Sequence, residues 1–350
     1  MVYCRKCINI SRSKKAIGKV DDINKPVKAN LNYELTKTQQ KASNQILNYI
    51  KNNQSVIVNA VCGAGKTELV YESIEYILNQ NKKVGFAIPR KDVVIEIYNR
   101  LKSDYKDIKV ISVYGNHNFD LDASLIVLTT HQLFRYKNYF DLLILDEADA
   151  FPYYRNDLLN VFLNNSCKGT IIYLSATIKE EYKKKCKNIV YVNRRFHNDD
   201  LPVPIFKRYY FFNKIKILKD SINSLKNKKV LIFVPTIEIG KKLSKKLDLD
   251  FIYASYKQKE VIIEKFKNNI IKQLITTTIL ERGITFFDVQ VIVYEANHIL
   301  FDTSSLIQIS GRVGRKLKAT KGKIYFLASY KSKEIVECIK IIKEKNKTTV

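Results

Sequence analysis

The segment NAVCGAGKTELV (residues 59–70) constrains the fold of this chain more than any other feature. It follows an apolar stretch, SVIVN, that predicts a buried strand, and it opens an amphipathic pattern that predicts a helix over 66–80. A glycine-rich turn between a strand and a helix binds phosphate, because backbone N–H groups at the start of the helix point at the anion. The context therefore predicts a phosphate-binding loop at the edge of a parallel sheet, rather than a chance glycine-rich turn.

The residues of this loop have predicted roles. Gly65 lets the backbone approach the phosphates, Lys66 reaches the β and γ oxygens, and Thr67 supplies a hydroxyl ligand for Mg²⁺. The loop departs from G-x-x-x-x-G-K-[ST] at its first position, where Ala60 replaces glycine, and Gly63 can supply the flexibility. The predicted substrate is ATP with Mg²⁺ as cofactor, and the loop residues expected to bind ATP are Gly63, Ala64, Gly65, Lys66, Thr67 and Glu68.

Two carboxylates follow a second apolar strand. The stretch LLILDE ends with Asp146 and Glu147. Asp146 is expected to hold the water shell of Mg²⁺, and Glu147 to orient or deprotonate the attacking water. A pair of acidic residues after a strand is often a solvated turn, but together with a phosphate loop it predicts a hydrolytic site.

A third apolar strand is followed by LSAT (174–177). The hydroxyls of Ser175 and Thr177, on either side of Ala176, could couple the carboxylate site to a bound nucleic acid. In isolation the tripeptide is common, and a turn or a helix N-cap is the alternative interpretation.

The stretch QISGRVGR (308–315) stands out in the second half of the chain. A helix would place Gln308, Arg312 and Arg315 on one face, because they are spaced at i, i+4 and i+7. Two arginines on one domain that face a phosphate loop on another form an arginine-finger arrangement, which stabilises charge on the transferred phosphoryl group. Such a site would be complete only when two domains close. The alternative interpretation is a solvated basic helix.

Apolar strands alternate with helices along most of the chain. This pattern predicts an α/β fold of two similar domains, each a mainly parallel sheet flanked by helices. A break at NDDLPVPIF (198–206) separates the halves. The predicted organisation is a short basic N-terminal segment (1–30), a first domain (31–200) and a second domain (201–350). No apolar run is long enough for a transmembrane segment, and no secretory signal is apparent, so a cytoplasmic location is expected.

The charge of the chain favours a polyanionic partner. The sequence has 61 Lys and Arg against 34 Asp and Glu, a formal net charge of +27. A Lys-rich and Asn-rich composition can also follow from codon bias, so the total charge alone leaves the partner open. Only 12 of the basic residues are Arg. Arginine is expected where a planar fork holds phosphate, and five of the 12 fall in the motif stretches, namely Arg90, Arg135, Arg282, Arg312 and Arg315.

The ordered series AVCGAGKT, IPR, TTHQL, DEAD, SAT, ERGITF and QISGRVGR, after Gln39, resembles superfamily 2 helicases and translocases over residues 35–315. Within them the chain is similar to the ComFA-type late competence ATPases, through LTKTQQKAS, IPRKDVVIEIYNRL, TTHQLFRYKNYFDLLILDEADAFPYY and LIQISGRVGR.

The resemblance implies that the two α/β domains are RecA-like, and it implies further roles. Gln39 would contact adenine, and Gly283 would belong to the nucleotide site. Arg90, Thr129 and Thr130 would contact the sugar-phosphate backbone on the first domain, and Thr277 and Arg282 the nucleotide and strand side of the second. Contacts of this kind bind nucleic acid without sequence preference.

The implied activity is an ATP-dependent single-stranded DNA translocase for DNA uptake in natural transformation. Its partners would be single-stranded DNA and competence and DNA-uptake proteins at the cytoplasmic face of the membrane.

Two alternatives remain open from the sequence. The first is an ATP-dependent RNA or replication-restart helicase. DEAD-box RNA helicases differ in three features, because this chain has IPRKD for P-T-R-E-L, TTHQL near the place of T-P-G-R, and Gln308 for the usual His. The second alternative is a nucleic-acid-binding scaffold that does not hydrolyse ATP.

The cysteines predict little metal chemistry. Cys4 and Cys7 form one C-x-x-C, which is half of a four-cysteine zinc site. ComFA-type proteins usually have four cysteines before the motor, so zinc would need another group or chain. A disulfide framework is not expected, and the remaining cysteines are interpreted as reduced fillers.

Overall fold

A computed structural model describes residues 14–18, 23, 25–31, 33–117, 120–148, 156–177, 183–184, 186–225, 227–281, 286–315 and 319–347. They form two compact units. The first contains residues up to Ala60 together with Gly65–Val192, and the second contains Val61–Ala64 and the chain from Asn193 onward. Segment 193–200, on the first-domain side of the boundary expected from the sequence, therefore packs with the second unit.

The first unit contains a seven-stranded parallel sheet. Its strand order is β3-β4-β2-β5-β6-β1-β7, and every pairing is parallel. All five residues of β1, β2 and β4 are buried, as expected for strands covered on both faces. The strands are β1 (Val56–Ala60), β2 (Val84–Ile88), β3 (Val110–Val113), β4 (Leu125–Thr129), β5 (Phe140–Leu145), β6 (Cys167–Ser175) and β7 (Ile189–Val192).

Two helices of this unit begin at side chains that cap them. Helix α1 (Lys37–Lys51) starts with a capping box, in which Thr36 and Gln39 each accept a hydrogen bond from the other's backbone N–H. The side chain of Asn156 accepts from the backbone of Leu159 at the start of α4. The remaining helical segments are α2 (Tyr71–Leu78), α3 (Lys91–Asp104), α4 (Asp157–Ser166) and the short 3₁₀ turns Glu68–Val70 and Thr130–Arg135.

The second unit contains a six-stranded parallel sheet of order β10-β11-β9-β12-β13-β8. Its strands are β8 (Ile205–Arg208), β9 (Lys229–Phe233), β10 (Phe251–Ile252), β11 (Gln273–Thr276), β12 (Val289–Tyr294) and β13 (Ile324–Ala328). Its helices are α5 (Lys214–Asn223), α6 (Ile237–Leu247), α7 (Lys259–Lys267), α8 (Thr303–Ser310) and α9 (Lys333–Lys347), with a 3₁₀ turn at Thr278–Leu280. The two sheets confirm the predicted parallel α/β architecture.

Alternate residues of the central strands face opposite sides of the second sheet. In β9, Leu231 and Phe233 belong to one apolar cluster, whereas Val230 and Ile232 belong to another. This period of two is that of an extended strand, so one strand supplies two cores. Helices α7, α8 and α9 contribute to the first cluster, and α5 and α6 to the second.

Among the described residues, no helix combines the length and the apolar character that a bilayer crossing requires. None of the four cysteines that the structure describes forms a disulfide, namely Cys62, Cys167, Cys186 and Cys338.

The close approach of β5 and β6 at Gly169 leads to a test of the fold. A Cβ at Gly169 would lie 2.0 Å from the backbone oxygen of Asp141, beside the register shift between Phe140 and Leu142. We expect Gly169→Ala to lower the free energy of unfolding of the first unit by about 1–3 kcal/mol, because a backbone oxygen cannot move aside cheaply. Urea denaturation followed by circular dichroism measures the change.

Lys168→Ala is the matched control for this substitution. The Lys168 ammonium is half-exposed and lies 3.3 Å from the Asp141 carboxylate. An exposed pair of this kind contributes about 0–1 kcal/mol, so the control should be nearly silent. Equal stabilities of Gly169→Ala and the unchanged protein would contradict the role assigned to the close approach.

Candidate functional site

Parallel strand pairing brings three predicted motifs to one edge of the first sheet. Strand β6 lies between β1 and β5. The phosphate loop follows β1, the LSAT hydroxyls end β6, and the carboxylates follow β5. Because parallel strands share their carboxyl edge, segments far apart in the sequence become neighbours there, where open α/β sheets bind ligands.

The backbone of the phosphate loop has the conformation that a bound phosphate requires. Gly63 and Gly65 have φ values of +85° and +80°, a region that favours glycine. A Cβ on Gly65 would lie 2.5 Å from Nε2 of Gln39, so a side chain at this position would displace the Gln39 amide. The short helix Glu68–Val70 begins directly after Thr67, whose side chain is buried. The residues present therefore fit a triphosphate with its Mg²⁺.

Gln39 is part of the helix cap and also abuts this loop. Its Oε1 accepts hydrogen bonds from the backbone N–H and the hydroxyl of Thr36, both at 3.0 Å. Its amide nitrogen points toward Gly65. The side chain is buried, with 6% of its surface exposed. The capping box thus fixes Gln39 beside the loop, and its predicted contact with adenine stays a prediction.

The Glu68 carboxylate is engaged within the first unit. Arg100 Nη2 donates to Oε1 of Glu68 at 2.5 Å, and the Tyr33 hydroxyl donates to the same oxygen at 3.0 Å. Burial and the Glu68 charge raise the pKa of Tyr33 above its usual value. We therefore expect any contact of Glu68 with ATP to involve its backbone, which the sequence did not indicate.

Glu147 has a strained backbone. Its φ is +52°, which is uncommon for a residue with a side chain. Its N–H donates to Oδ1 of Asp146 at 2.8 Å, and the next N–H, of Ala148, donates to the backbone oxygen of Leu174 on β6. These bonds hold a tight turn after β5. Strain of this kind is found at functional sites, where the surrounding structure enforces it.

The LSAT hydroxyls form a local turn at the end of β6. The Ser175 hydroxyl donates to the Thr177 carbonyl at 2.5 Å and accepts from the Thr177 N–H at 3.1 Å. Ser175 and Ala176 are buried. Ser175 therefore stabilises the turn between the phosphate loop and the carboxylates, as the turn interpretation of the sequence anticipated.

Three residues that were predicted to contact a nucleic-acid strand lie farther along the same edge of the sheet. Arg90 is the N-cap residue of α3, just after β2, and its guanidinium pairs with Asp92 at 3.0 Å. Thr129 ends β4 level with Ile88 of β2. Thr130 is fully buried, and its hydroxyl has no hydrogen-bond partner among the described residues. Because this hydroxyl is buried, a nucleic-acid strand would contact the backbone at Thr130 instead.

Arg135 does not lie where it could hold phosphate, as its place in a motif stretch had suggested. Its Nε donates to Oε1 of Gln132 at 2.5 Å, and its Nη1 donates to the Lys14 carbonyl at 2.6 Å. The side chain is buried, with 8% exposed. The guanidinium fastens the Lys14 segment to the 3₁₀ turn, so the inference that Arg135 holds phosphate is wrong.

The predicted helical face of QISGRVGR is also wrong. Helix α8 ends at Ser310, and Gly314 has a φ of +74°, so Arg312 and Arg315 lie beyond the helix. Within the second unit Arg312 is buried, with 2% exposed, and Arg315 Nε donates to the Gly311 carbonyl at 2.7 Å. The helix therefore ends before Arg312, which spacing alone did not reveal.

Thr277 follows β11 and is the N-cap residue of the Thr278–Leu280 turn. Arg282, Gly283, Cys4 and Cys7 lie outside the described residues, as do the last acidic residue of the DEAD stretch and the AFPYY that follows it. Within the described part of the chain, no group of three or more His, Cys, Asp or Glu side chains could hold a metal ion.

The sequence interpretation missed one buried residue, Arg195. Its side chain is 3% exposed, and its guanidinium donates to three backbone oxygens of the turn after α8 and to the carbonyl of Cys62. An Arg-Arg pair in a chain that otherwise uses Lys was the available signal.

Comparison with known proteins gives matches over both units. Residues 32–180 match the family model of the type III restriction enzyme res subunit, and residues 213–316 match that of the helicase conserved C-terminal domain. The first match includes the phosphate loop and the carboxylates, and the second includes Arg312 and Arg315.

Solved structures of helicases share the fold. The chain superimposes on S. cerevisiae Dbp5 bound to RNA and ADP BeF3 with a TM-score of 0.70 at 17% identity, covering 90% of this chain and 88% of that one. With the DEAD-box helicase Mss116 bound to ssRNA and UDP-BeF the TM-score is 0.64 at 21% identity, covering 84% and 69%. These likenesses confirm the predicted fold of two RecA-like domains.

Curated relatives match almost the whole chain. It is 34% identical over 372 residues to the competence protein ComFA of Bacillus subtilis (strain 168), covering 99% of this chain and 80% of the relative. It is 36% identical over 371 residues to the competence protein ComFA of Streptococcus pneumoniae (strain ATCC BAA-255 / R6), covering 99% and 86%. With the helicase fold and the ordered motifs, these matches show that the chain belongs to the ComFA family of superfamily 2 helicase-like proteins and is an ATP-hydrolysing helicase or translocase.

Proposed function

We propose that this protein is an ATP-driven single-stranded DNA translocase that acts in DNA uptake during natural transformation. One observation supports the motor chemistry above all others, namely the meeting of the phosphate loop, the carboxylate turn and the LSAT turn at the edge formed by β1, β6 and β5. The near full-length similarity to two competence proteins supports single-stranded DNA as the cargo and DNA uptake as the process.

The hydrolytic roles follow from the chemistry of this edge. The backbone N–H groups of the loop and the Lys66 ammonium would bind the β and γ phosphates of ATP. The Thr67 hydroxyl and the Asp146 carboxylate would hold Mg²⁺ through oxygen ligands. When bound, Mg²⁺ supplies positive charge that offsets the charge developing on the phosphates. Glu147, fixed in its tight turn, would orient the attacking water and accept its proton.

The remaining site residues would link hydrolysis to movement. Arg312 and Arg315 would stabilise negative charge on the transferred phosphoryl group. Ser175, Ala176 and Thr177 would connect the carboxylate turn to strand binding, because β6 lies beside both the phosphate loop and β5. Gln308, near the end of α8, would share in this coupling.

Strand binding would be electrostatic and independent of sequence. Arg90, Thr129 and Thr130 lie at the carboxyl ends of β2 and β4, beside the hydrolytic elements on the same sheet. A net charge of +27 favours a polyanion in general. We propose single-stranded DNA as this polyanion, and competence and uptake proteins at the cytoplasmic face of the membrane as partners. Zinc at Cys4 and Cys7 stays a prediction that needs further ligands.

The nucleic-acid specificity of the ATPase tests this proposal. We expect single-stranded DNA to raise kcat for ATP hydrolysis more than duplex DNA or RNA of the same length. We also expect the DNA affinity to fall as salt rises, because phosphate contacts release counterions. A coupled ATPase assay at fixed salt, repeated with each polymer, measures the first effect, and titration of the DNA at several salt concentrations measures the second. Stimulation by RNA alone would favour an RNA helicase, and no ATP hydrolysis with any polymer would favour a scaffold.

Two substitutions separate nucleotide binding from hydrolysis. Glu147→Gln removes the proton acceptor but keeps the shape of the side chain, so kcat should fall about 100- to 1000-fold while the Kd for ATP stays nearly constant. Lys66→Ala removes a phosphate ligand, so the Kd for ATP should rise and kcat should fall. Isothermal titration and the ATPase assay measure the two constants.

Lys82→Ala is the control for loss of a lysine. This residue is exposed, and its ammonium bonds to the Gln80 side chain at 2.7 Å. It should hydrolyse ATP at the rate of the unchanged protein. A Glu147→Gln protein that retains most of its ATPase activity would refute the role proposed for Glu147.

A further inference from the structure

A single buried guanidinium holds together the end of helix α8. Arg195 donates from Nη1 to the carbonyls of Val313 at 2.6 Å and Gly314 at 2.5 Å, and from Nη2 to that of Gly311 at 3.3 Å. All these residues belong to the second unit. The four hydrogen bonds described for this guanidinium, including the one from Nε, all go to backbone oxygens. Burial, reinforced by the nearby Arg315 cation, lowers the pKa of Arg195 to about 10, so the group stays charged at neutral pH.

These bonds go to the turn that follows the helix. The N–H groups of this turn pair with the last carbonyls of the helix, so that the carbonyls of the turn itself are left for side-chain donors. A cation beside the carboxyl end of a helix also interacts favourably with the helix dipole. Helix α8 ends at Ser310, and the next four residues (311–314) form a turn. Arg195 supplies donors to three carbonyls of that turn, a geometry that the planar fork of arginine permits and lysine does not.

The turn itself is shaped around Arg195. Gly314 has a φ of +74°, and a Cβ there would lie 2.9 Å from Nη1 of Arg195 and 2.3 Å from the Thr320 carbonyl. A residue with a side chain would therefore push against the guanidinium or the backbone. Gly314 and Arg195 fit each other, so the position of one constrains the other.

His197 supplies a second donor from the same segment. Its side chain is 3% exposed, and its Nε2 lies 2.9 Å from the Gly314 carbonyl. The Asp199 N–H donates to its Nδ1 at 3.2 Å. Because Nδ1 accepts a hydrogen bond, the tautomer with the proton on Nε2 satisfies both contacts. Arg195 and His197 together hold the turn from one side.

The remaining nitrogen of Arg195 reaches the phosphate-loop segment that packs with this unit. Nε donates to the Cys62 carbonyl at 3.1 Å. A Cβ on Gly311 would lie 2.4 Å from the Cβ of Cys62, so the two backbones approach closely at this point. One guanidinium thus bonds both to the turn after α8 and to the start of the phosphate loop.

We propose that Arg195 is a positioning residue for ATP hydrolysis, which fixes the backbone from which Arg312 and Arg315 extend and ties that backbone to the Cys62 carbonyl of the phosphate loop. This inference rests on the proposed function, in which the two arginines act on the transferred phosphoryl group. Arg195 has no contact with substrate in this role. It acts through the main chain that it holds.

The test compares Arg195→Met with the unchanged protein. Methionine keeps most of the volume but removes all the donors, so we expect kcat for DNA-stimulated ATP hydrolysis to fall about 10- to 100-fold, as misplacement of a catalytic group by an ångström does. The KM for ATP should change by less than about three-fold, because the Lys66 and Gly65 contacts remain. Arg195→Lys, which keeps the charge but not the fork, should recover only part of kcat.

A double variant shows whether Arg195 acts through Arg315. Arg315→Ala should lower kcat strongly, and adding Arg195→Met should lower it by less than about three-fold more, because residues that act as a unit are not additive. Arg194→Met is the matched control. Its guanidinium donates to the backbone oxygens of Asn198 and Asn346 instead of the turn after α8, so kcat should stay within two-fold.

The outcomes separate this inference from the proposed function. Loss of kcat at constant KM, with a non-additive double variant, supports a positioning role. If Arg315→Ala slows hydrolysis but Arg195→Met does not, or if the two effects multiply, the positioning role is refuted and the proposed function stands. If Arg315→Ala has no effect, the role of the arginines in the proposed function fails, and this inference fails with it. Should Arg195→Met give no folded protein, the same criteria apply to Arg195→Lys.

Discussion

The parallel pairing of β6 with β1 on one side and β5 on the other is the interaction on which the candidate site depends. Backbone hydrogen bonds fix the register, so that Ser175 lies level with Asn59 at the end of β1. Because every strand runs in the same direction, the chain leaves the sheet at one edge three times with chemically useful residues. No contact between the motif side chains is needed to bring them together, since the sheet does so.

Local structure at that edge serves the geometry of the loops more than substrate contacts. The side chains of Gln39 and Ser175 bond to nearby backbone, and the Glu68 carboxylate pairs with Arg100. Such bonds hold loops in one conformation before any ligand binds, which reduces the entropy lost on binding. The positive φ value of Glu147 shows where the backbone is held against its preference. The pre-formed edge suits a site that must repeat the same reaction many times.

In the second unit, a side chain likewise holds the backbone in one conformation at the end of α8. There the helix ends at Ser310, and a buried arginine from segment 193–200 donates to three carbonyls of the turn that follows it. The sequence analysis placed that segment in the first domain, because the two prolines of the predicted break follow it. In the structure the segment packs with the second unit instead. Sequence spacing could not show this, because the turn after the helix and a distant guanidinium come together only in three dimensions.

The sequence by itself determined the parallel α/β architecture, the order of the motifs and the family, because strand periodicity and the glycine-rich loop depend on neighbouring residues. Only the tertiary structure decided which side chains face a ligand and which are used to hold the backbone. It gave Arg135 and Arg195 structural partners, buried Thr130, and ended α8 before Arg312. The physical reason is that hydrogen-bond partners and burial come from segments distant in the chain, which no local pattern specifies.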